Sequence, residues 1–386
     1  MPRIAQRVAP FGTTIFTAIN ELAAAHGALN LGQGKPDFPP VAAITERLAA
    51  AARDPAFQQY APGQGTLALR TAIATHAQRF YDLTLDPAGG IIVTAGATEA
   101  IFAAVLGLVD QGDEVIVIEP FYDSYAPNIS MAGATPVYVS LHPPTWTLDP
   151  TALRAAFTAR TRAIIINTPH NPTGRVLTMD ELTLIAELAT EHDVTVIADE
   201  VYDHLLFGDA HHISIATLPG MFERTVTVGS AGKMFSVTGW KVGWVAGPPA
   251  LIAGVNRAHQ FITFAVNHPT QDAVAFALGL PESYWDDYRA SYTSKRAILL
   301  AALEHAGLRP FAPEGSFFIM ADFTGRFTGS SMEFVRHLIT TVGIAAIPAD
   351  ALFSTEHAAV GNHYIRFAFC KTEEMLTDAA TRLARL

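Results

Sequence analysis

Residues 230–244 are Ser-Ala-Gly-Lys-Met-Phe-Ser-Val-Thr-Gly-Trp-Lys-Val-Gly-Trp. The apolar run 225–228 precedes them and 242–246 resembles a second strand, so Lys233 falls at a strand end, in a loop of small residues. A lysine buried in such a loop is costly to keep charged, and as a neutral amine it is a nucleophile. Because an isolated lysine is more often a surface residue, the rest of the chain has to decide between the two interpretations.

The composition is that of a globular protein. Half of the 386 residues are hydrophobic and 16% are charged, and this length allows two domains. The formal charge of −11 argues against nucleic acid or an anionic membrane as a partner. Cys370 is the only cysteine, which excludes an internal disulfide. Residues 1–10 lack a signal-peptide core, and no apolar run approaches about 18 residues, so we expect a cytoplasmic protein.

The apolar runs predict an α/β fold with a mostly parallel central sheet. These short β-branched runs are continuous rather than alternating, as expected for strands covered on both faces by helices. They lie at 91–94, 115–118, 163–166, 194–198, 225–228 and 244–246. A long helix at 284–306 and mixed elements follow, which predicts a smaller α+β domain. The predicted division is an arm with part of the small domain at 1–45, a large domain at 46–281 and a small domain at 282–386.

Unusual residues follow nearly every predicted strand. Ligands bind outside the carboxyl ends of the strands in an open α/β sheet, so these residues are expected to meet. Thr98 opens an apolar helix whose free amides suit a phosphate, although a capping turn without a ligand has the same pattern. Tyr122 offers an aromatic platform, and Asp199 ends a buried strand where it needs a cationic partner. Together with Lys233, they are the parts that hold pyridoxal 5′-phosphate.

At this point the chain resembles a known family, the class I pyridoxal-phosphate aminotransferases of the aspartate aminotransferase fold. The resemblance runs from Gly32-Gln33-Gly34 to Tyr364-Ile365-Arg366-Phe367. The Gly-Gln-Gly and Pro-Asp-Phe-Pro-Pro motifs near residues 32–40, with Ser-Ala-Gly-Lys at 230–233, are most similar to the kynurenine/glutamine transaminase K and methionine aminotransferase branch. The resemblance implies fold type I, with a large cofactor-binding domain and a smaller one.

The resemblance also implies a role for individual residues near the reacting atoms. Lys233 would form the Schiff base with the cofactor and shuttle the proton, and Asp199 would keep the ring nitrogen protonated. Asn171 and Tyr202 would bind the ring oxygen, while Tyr122 stacks on the ring.

Other residues would bind the two anionic groups and the substrate side chain. The phosphate would be held by Gly96, Ala97, Thr98, Ser230 and Lys241, with Tyr60 from the second subunit of a homodimer. The substrate carboxylate would be clamped by Arg366 and the Gly34 amide, and Phe16 would cover the substrate side chain.

Two positions depart from the wider family pattern. Lys241 stands where many relatives have arginine, and lysine is a point charge without the bidentate fork. Because the matched branch also has lysine there, phosphate binding is expected to persist. Lys35 stands where relatives often have an aromatic residue, so it either points to solvent or favours an acidic substrate group.

We therefore expect a homodimeric aminotransferase that works by a ping-pong mechanism on amino acids with apolar, sulfur-containing or aromatic side chains, such as methionine, phenylalanine, kynurenine and glutamine. The alternative is a cysteine-S-conjugate β-lyase, which uses the same cofactor and differs in losing a group from Cβ. A metal site is not expected, because the 14 histidines are scattered. A serine hydrolase finds no support because a Gly-x-Ser-x-Gly elbow is lacking.

Overall fold

A computed structural model describes residues 3–386, and Met1 and Pro2 of the predicted arm lie outside the described residues. The helices are α1 Ile15–Ala25, α2 Ala42–Ala51, α3 Leu67–Tyr81, α4 Gly96–Leu108, α5 Tyr125–Met131, α6 Pro150–Ala156, α7 Met179–Glu191, α8 Ala231–Met234, α9 Pro249–Ile262, α10 His268–Leu278, α11 Glu282–His305, α12 Ser331–His337, α13 Ala358–Gly361 and α14 Glu373–Leu383. The strands are β1 Leu29–Asn30, β2 Ile91–Thr94, β3 Glu114–Glu119, β4 Thr135–His142, β5 Thr147–Leu148, β6 Thr161–Asn167, β7 Thr195–Asp199, β8 Thr225–Ser230, β9 Gly243–Ala246, β10 Arg309–Pro310, β11 Phe318–Asp322, β12 Ile344–Ala345, β13 Ile347–Pro348 and β14 Tyr364–Ala368.

The main sheet has eight strands in the order β2-β9-β8-β7-β6-β3-β4-β5. The five strands from β8 to β4 are parallel, whereas β9 runs antiparallel to both of its neighbours and β5 runs antiparallel to β4. Ile165 and Ile197 pack in the core that includes α4, while Ile164 and Val196 face the core that includes α7. Helices therefore cover both faces, which explains why these strands are continuous apolar runs, and the predicted α/β fold is confirmed.

The C-terminal part of the chain builds a second, four-stranded sheet in the order β10-β11-β14-β13, with antiparallel neighbours. The N-terminal segment joins this part, because β1 pairs in parallel with β12. Placing residues near the N-terminus with the small domain is in keeping with this contact, although the exact boundaries stay a prediction. The core is continuous, since residues of both parts share one cluster, for example Ile92 and Phe367.

Two local features differ from the sequence-based expectation. Lys233 does not lie in a loop but in the one-turn helix α8. Strand β4 was not predicted, because several of its residues are exposed or half-buried and the apolar signal is correspondingly weak. None of the helices in residues 3–386 combines the length and the apolar composition needed to cross a membrane.

Candidate active site

The carboxyl ends of the central strands meet at a cavity of about 370 Å³, a size typical of small-molecule sites. Asn167 ends β6, Asp199 ends β7 and Ser230 ends β8, and all three line the cavity. The predicted site residues that line it are Phe16, Gly34, Gly96, Ala97, Thr98, Tyr122, Asn171, Asp199, Tyr202, Ser230, Lys233, Lys241 and Arg366. The structure therefore brings together every predicted site residue except Tyr60.

Lys233 is held in place by helix α11. Tyr288 donates a hydrogen bond to the Lys233 carbonyl and Tyr284 to the Met234 carbonyl, both at 2.7 Å. The Lys233 Nζ donates to the Gly34 carbonyl at 3.3 Å, and burial lowers the pKa of the amine. A lysine with a lowered pKa is more often neutral, which is the form that attacks a carbonyl carbon.

Asp199 is a buried acid at the end of β7. Burial raises its pKa to about 6. The Tyr125 hydroxyl donates a hydrogen bond to Asp199 Oδ2 at 2.5 Å, which opposes part of this rise in the pKa. The Asn167 side chain fixes the same strand end by donating to the Asp199 carbonyl at 2.7 Å. A cation placed beside Asp199 would stabilise its ionised form, and a protonated ring nitrogen is such a cation.

The start of α4 forms one end of the cavity and suits an anion. Gly96 has φ +79°, and a Cβ added there would lie 3.1 Å from Lys241 Nζ, so the glycine leaves room for the ammonium group. Thr98 and Ser230 line the cavity with it. Backbone amides at a helix start and an adjacent cation are the usual elements of a phosphate site.

Arg366 is a buried arginine whose partners are uncharged. Its two Nη atoms donate to Asn171 Oδ1 at 2.8 Å and to the Gly32 carbonyl at 2.7 Å. Its Nε has no hydrogen-bond partner among residues 3–386. Burial lowers the pKa of Arg366 to about 10, and its guanidinium lies over the rings of Phe318 at 4.2 Å and Phe16 at 5.0 Å. A carboxylate entering the cavity would supply the missing counter-charge.

Three further predicted residues, Tyr122, Asn171 and Tyr202, line the same cavity. The Tyr122 hydroxyl is 3.3 Å from the Thr98 hydroxyl, and Asn171 is placed by its bond to Arg366. Burial raises the pKa of Tyr202 well above its ordinary value, so the phenol stays protonated and can donate a hydrogen bond.

Tyr60 does not line the cavity of its own chain. Its side chain is 83% exposed, and its ring meets the edge of Phe264 with 5.4 Å between the ring centres. A role for Tyr60 in phosphate binding therefore needs a second copy of the chain, as the family resemblance implies, and this role stays a prediction.

Sequence reasoning assigned no role to Tyr125, Asn167 and Phe318. Asn167 carries a usable signal, because it directly ends a predicted strand. Tyr125 is one of several aromatic residues after β3, and its bond to Asp199 depends on how α5 packs. Phe318 lies in the second sheet, and its position over Arg366 follows from strand pairing that the sequence pattern does not specify.

The residues present fit pyridoxal 5′-phosphate. One cavity is lined by a buried amine, a buried acid with a raised pKa and an anion site in which a Cβ at Gly96 would crowd Lys241. These three features match the aldehyde, the ring nitrogen and the phosphate of the cofactor.

Comparisons with known proteins point in the same direction. The family model for aminotransferase class I and II matches residues 27–383. The solved structure of N-succinyldiaminopimelate aminotransferase from Mycobacterium tuberculosis superposes with a TM-score of 0.96 at 45% identity, over 99% of this chain and 100% of that one. A methionine aminotransferase from Escherichia coli superposes with a TM-score of 0.95 at 39% identity, over 100% of both chains. Human kynurenine–oxoglutarate transaminase 1 is 40% identical over 95% of this chain and 94% of its own length.

Proposed function

We propose, from the premise that this chain belongs to the class I and II aminotransferases, that it transfers the amino group of an apolar, sulfur-containing or aromatic L-amino acid to a 2-oxo acid. The chain is an aminotransferase of fold type I, and enzymes of this fold use pyridoxal 5′-phosphate. The substrate class and the roles of individual residues are the parts that we propose.

The observation that carries the proposal is the placement of Lys233 and Arg366 in one cavity. A buried amine is available to a carbonyl group, and a buried guanidinium bonded to uncharged oxygens is available to a carboxylate. An α-amino acid carries its carboxylate one carbon away from its amine, so a substrate whose carboxylate is bound by Arg366 places its amine near the carbonyl group that Lys233 would hold. The bound cofactor supplies an electron sink that makes the Cα–H bond of the substrate acidic.

The residues of the chain would bind the cofactor, orient the substrate and move the proton. The Lys233 amine would hold the cofactor through its aldehyde group, and as a free amine it would carry the proton between the substrate Cα and the cofactor C4′. Arg366 and the Gly34 amide orient the substrate carboxylate. Asp199 keeps a proton on the ring nitrogen, and its bond from Tyr125 fixes the carboxylate for that task.

The same cavity serves both halves of a ping-pong reaction. The donor leaves as a 2-oxo acid before the acceptor enters, so both substrates use Arg366 for their carboxylates. Asn171, Tyr202 and Tyr122 would hold the cofactor ring in both halves. Its phosphate would be bound by the Gly96, Ala97 and Thr98 end of α4 with Ser230 and Lys241, and by Tyr60 of a second copy in a homodimer.

The apolar side of the cavity supports the proposed donors. Phe16 and Phe318 flank Arg366, so a side chain attached next to the bound carboxylate meets aromatic rings. The named relatives in human and E. coli act on kynurenine and methionine. Kynurenine has an aromatic side chain and methionine an apolar, sulfur-containing one.

Lys35 favours a second candidate substrate. It lines the cavity as an exposed residue and adds a positive charge to the rim, where an acidic group far from the α-carbon would be bound. The 45% identical M. tuberculosis relative is named for N-succinyldiaminopimelate, a molecule with additional carboxylates. The second candidate is therefore a long amino acid that ends in a carboxylate.

Single-turnover absorbance with product analysis tests the function. Purified holoenzyme receives methionine, phenylalanine, kynurenine, glutamine or N-succinyldiaminopimelate without an acceptor. We expect the pyridoxamine form of the cofactor and the 2-oxo acid with the carbon skeleton of the donor, fastest for an apolar or aromatic donor. Lys233→Ala is the catalytic control, with cofactor bound but no turnover, and Lys295→Ala, which changes a buried lysine outside the cavity, should react normally.

Each contrary result has a separate meaning. Faster reaction of N-succinyldiaminopimelate, reduced by Lys35→Ala, selects the second candidate. Release of pyruvate and ammonia from a cysteine conjugate without the pyridoxamine form would favour the β-lyase, which the aminotransferase names of the relatives do not favour. Turnover by Lys233→Ala would contradict the assignment of Lys233.

A further inference from the structure

His259 connects two parts of the chain, because each of its two ring nitrogens contacts one of them. It belongs to α9 and is completely buried. Its Nδ1 lies 2.7 Å from Glu99 Oε1, and its Nε2 lies 2.9 Å from the Gly63 carbonyl oxygen. The other Glu99 oxygen accepts a hydrogen bond from the Ala95 amide at 2.6 Å. One imidazole thus bridges the start of α4 and the loop before α3.

The hydrogen-bond partners of the two ring nitrogens indicate where the ring hydrogens lie. A carbonyl oxygen only accepts, so Nε2 carries a hydrogen, and the Glu99 carboxylate accepts from Nδ1 in the same way. The ring is therefore held by two hydrogen bonds, one to Glu99 and one to the Gly63 carbonyl. Burial lowers the pKa of His259, but the hydrogen bond and charge of Glu99 and the Gly63 carbonyl outweigh burial, and the pKa is raised.

Each end of this bridge leads to a proposed phosphate ligand. Glu99 lies in the first turn of α4, directly after the residues that line the anion end of the cavity. Gly63 lies three positions after Tyr60, in the loop 58–65, which is the part of this chain expected to reach into a second subunit. This Tyr60 loop also rests on the α9–α10 junction, through the Tyr60 ring on Phe264 and through His268 Nδ1, which lies 3.1 Å from the Gln59 carbonyl.

We infer that His259 is a positioning residue for the cofactor phosphate: it fixes the Tyr60 loop of one subunit to the anion site of that same subunit. Because Tyr60 serves the neighbouring cavity, the Glu99–His259 pair then links the two phosphate sites of a dimer. This inference rests on the proposed function, in which the chain dimerises and Tyr60 contacts the partner's phosphate. A histidine that merely fills the core would not affect phosphate binding through Tyr60.

A double-mutant cycle on cofactor affinity tests the inference. Apoenzyme variants His259→Gln, Tyr60→Phe and the double variant are titrated with pyridoxal 5′-phosphate by equilibrium dialysis, and in parallel with pyridoxal, which lacks the phosphate. We expect His259→Gln to weaken binding of the phosphorylated cofactor roughly tenfold, within the range of coupled neighbours, and to add less than about twofold when Tyr60 is already Phe. Pyridoxal binding should be unchanged by either substitution.

Three results for the His259→Gln substitution would overturn the inference. They are unchanged affinity in His259→Gln, additive effects of the two substitutions, and equal weakening for pyridoxal, which would show a general loss of structure. If Tyr60→Phe alone has no effect, the proposed dimer arrangement fails and the inference fails with it, whereas additive effects leave that arrangement intact. Should His259→Gln not fold, the same cycle is run with Glu99→Gln, for which non-additivity with Tyr60→Phe is again expected and additivity again contradicts the inference.

Discussion

Arg366 and Lys233 are buried basic groups whose hydrogen-bond partners are uncharged oxygens. Burial disfavours the charged form of each and lowers its pKa, although Asp123 and Asp199 oppose the shift at Arg366 and Lys233, respectively. A site that binds a carboxylate and a carbonyl compound has this property before its ligands arrive. A ligand that supplies a negative charge or a carbonyl group relieves this unfavourable burial. The relief contributes to the affinity for that ligand.

At this scale, we predict that Arg366→Ala chiefly weakens substrate binding. Loss of one partner of a buried charge pair costs about 2–5 kcal/mol, which should appear as a higher KM for donor and acceptor alike. Arg366→Lys should recover only part of this, since lysine lacks the bidentate fork. Steady-state kinetics with both substrates measure the effect.

The control is Arg309→Ala, which removes an exposed arginine paired with Asp322 at 2.6 Å and should leave KM unchanged. An unaltered KM in Arg366→Ala would show that the substrate carboxylate binds elsewhere.

Residues that follow strands were the easiest to predict from sequence. Lys233, Asp199 and Thr98 each stand next to a continuous apolar run, so their position at the sheet edge follows from the strand pattern. Tyr125 and Phe318 could not be assigned in this way, because their contacts depend on the packing of a helix and on strand pairing in the second sheet.

At the scale of elements, helices α3 and α11 and the segment after β7 enclose a buried polar group away from the cavity. His76 and His204 lie 2.9 Å apart through their Nε2 atoms, and His204 stacks on Trp285 with ring centres 3.8 Å apart. The Tyr81 hydroxyl donates to Asp203 at 2.6 Å. Burial, helped by the charge of Arg79, lowers the pKa of His76 to about 3.

This packing predicts a loss of stability in acid. Below pH 6.5 the unfolded chain binds a proton at His76, whereas the folded chain does not bind it until the pH approaches 3. The free energy of unfolding therefore falls as the pH drops from about 6.5 towards 3. The expected slope is up to about 1.4 kcal/mol per pH unit for this histidine. His76→Gln should reduce the total slope by this amount, as measured by urea unfolding of the apoenzyme between pH 7.5 and 5. Part of the slope remains, because burial also lowers the pKa values of His170 and His204.

Comparison at each pH is needed, because Asp199 and Asp203 act in the opposite sense. Their pKa values are raised to about 6, so the folded state holds protons that the unfolded state releases, and this contribution favours folding as the pH falls. It is common to the wild type and His76→Gln. Equal pH slopes in the two proteins would contradict the assignment to His76.

Whole elements were predictable where burial is uniform. Strand β2 coincides with the predicted run 91–94, and β7 is displaced by one residue from 194–198, since strands buried on both faces leave an uninterrupted apolar signal. Strand β4 was missed because part of it is exposed. The one-turn helix α8 is too short for any periodicity, and the tyrosines of α11 that hold it are far away in sequence.

At the scale of the molecule, exposed aromatic residues gather around the Tyr60 loop. Phe261 is 86% exposed, Phe264 54% and Tyr60 83%, an arrangement more typical of an interface than of a free surface. We predict that the wild type sediments as a dimer and that Phe261→Asp shifts it towards the monomer. The monomeric variant should also bind pyridoxal 5′-phosphate more weakly, because each cavity then lacks the neighbouring Tyr60.

Met179→Asp provides a matched control, since Met179 is 50% exposed on the separate helix α7. It should sediment as the wild type does. A fully active monomer of the wild type would refute the dimer, and a dimeric Phe261→Asp variant would move the interface to another surface. The sequence could suggest a second subunit only through the family resemblance, because exposure of these rings is a property of the folded surface.

The pairing of β1 with β12 joins Leu29 to Ile344, near the opposite end of the chain. On the ribosome, β1 is made long before its partner strand β12 emerges. Ile19, Ala23 and Leu31 are buried in the folded protein, and they lack β12 as a packing partner during that time. The native partners of this apolar segment are therefore missing until β12 has been made, and the cavity that Phe16 and Gly34 line can form only after Arg366 has been made.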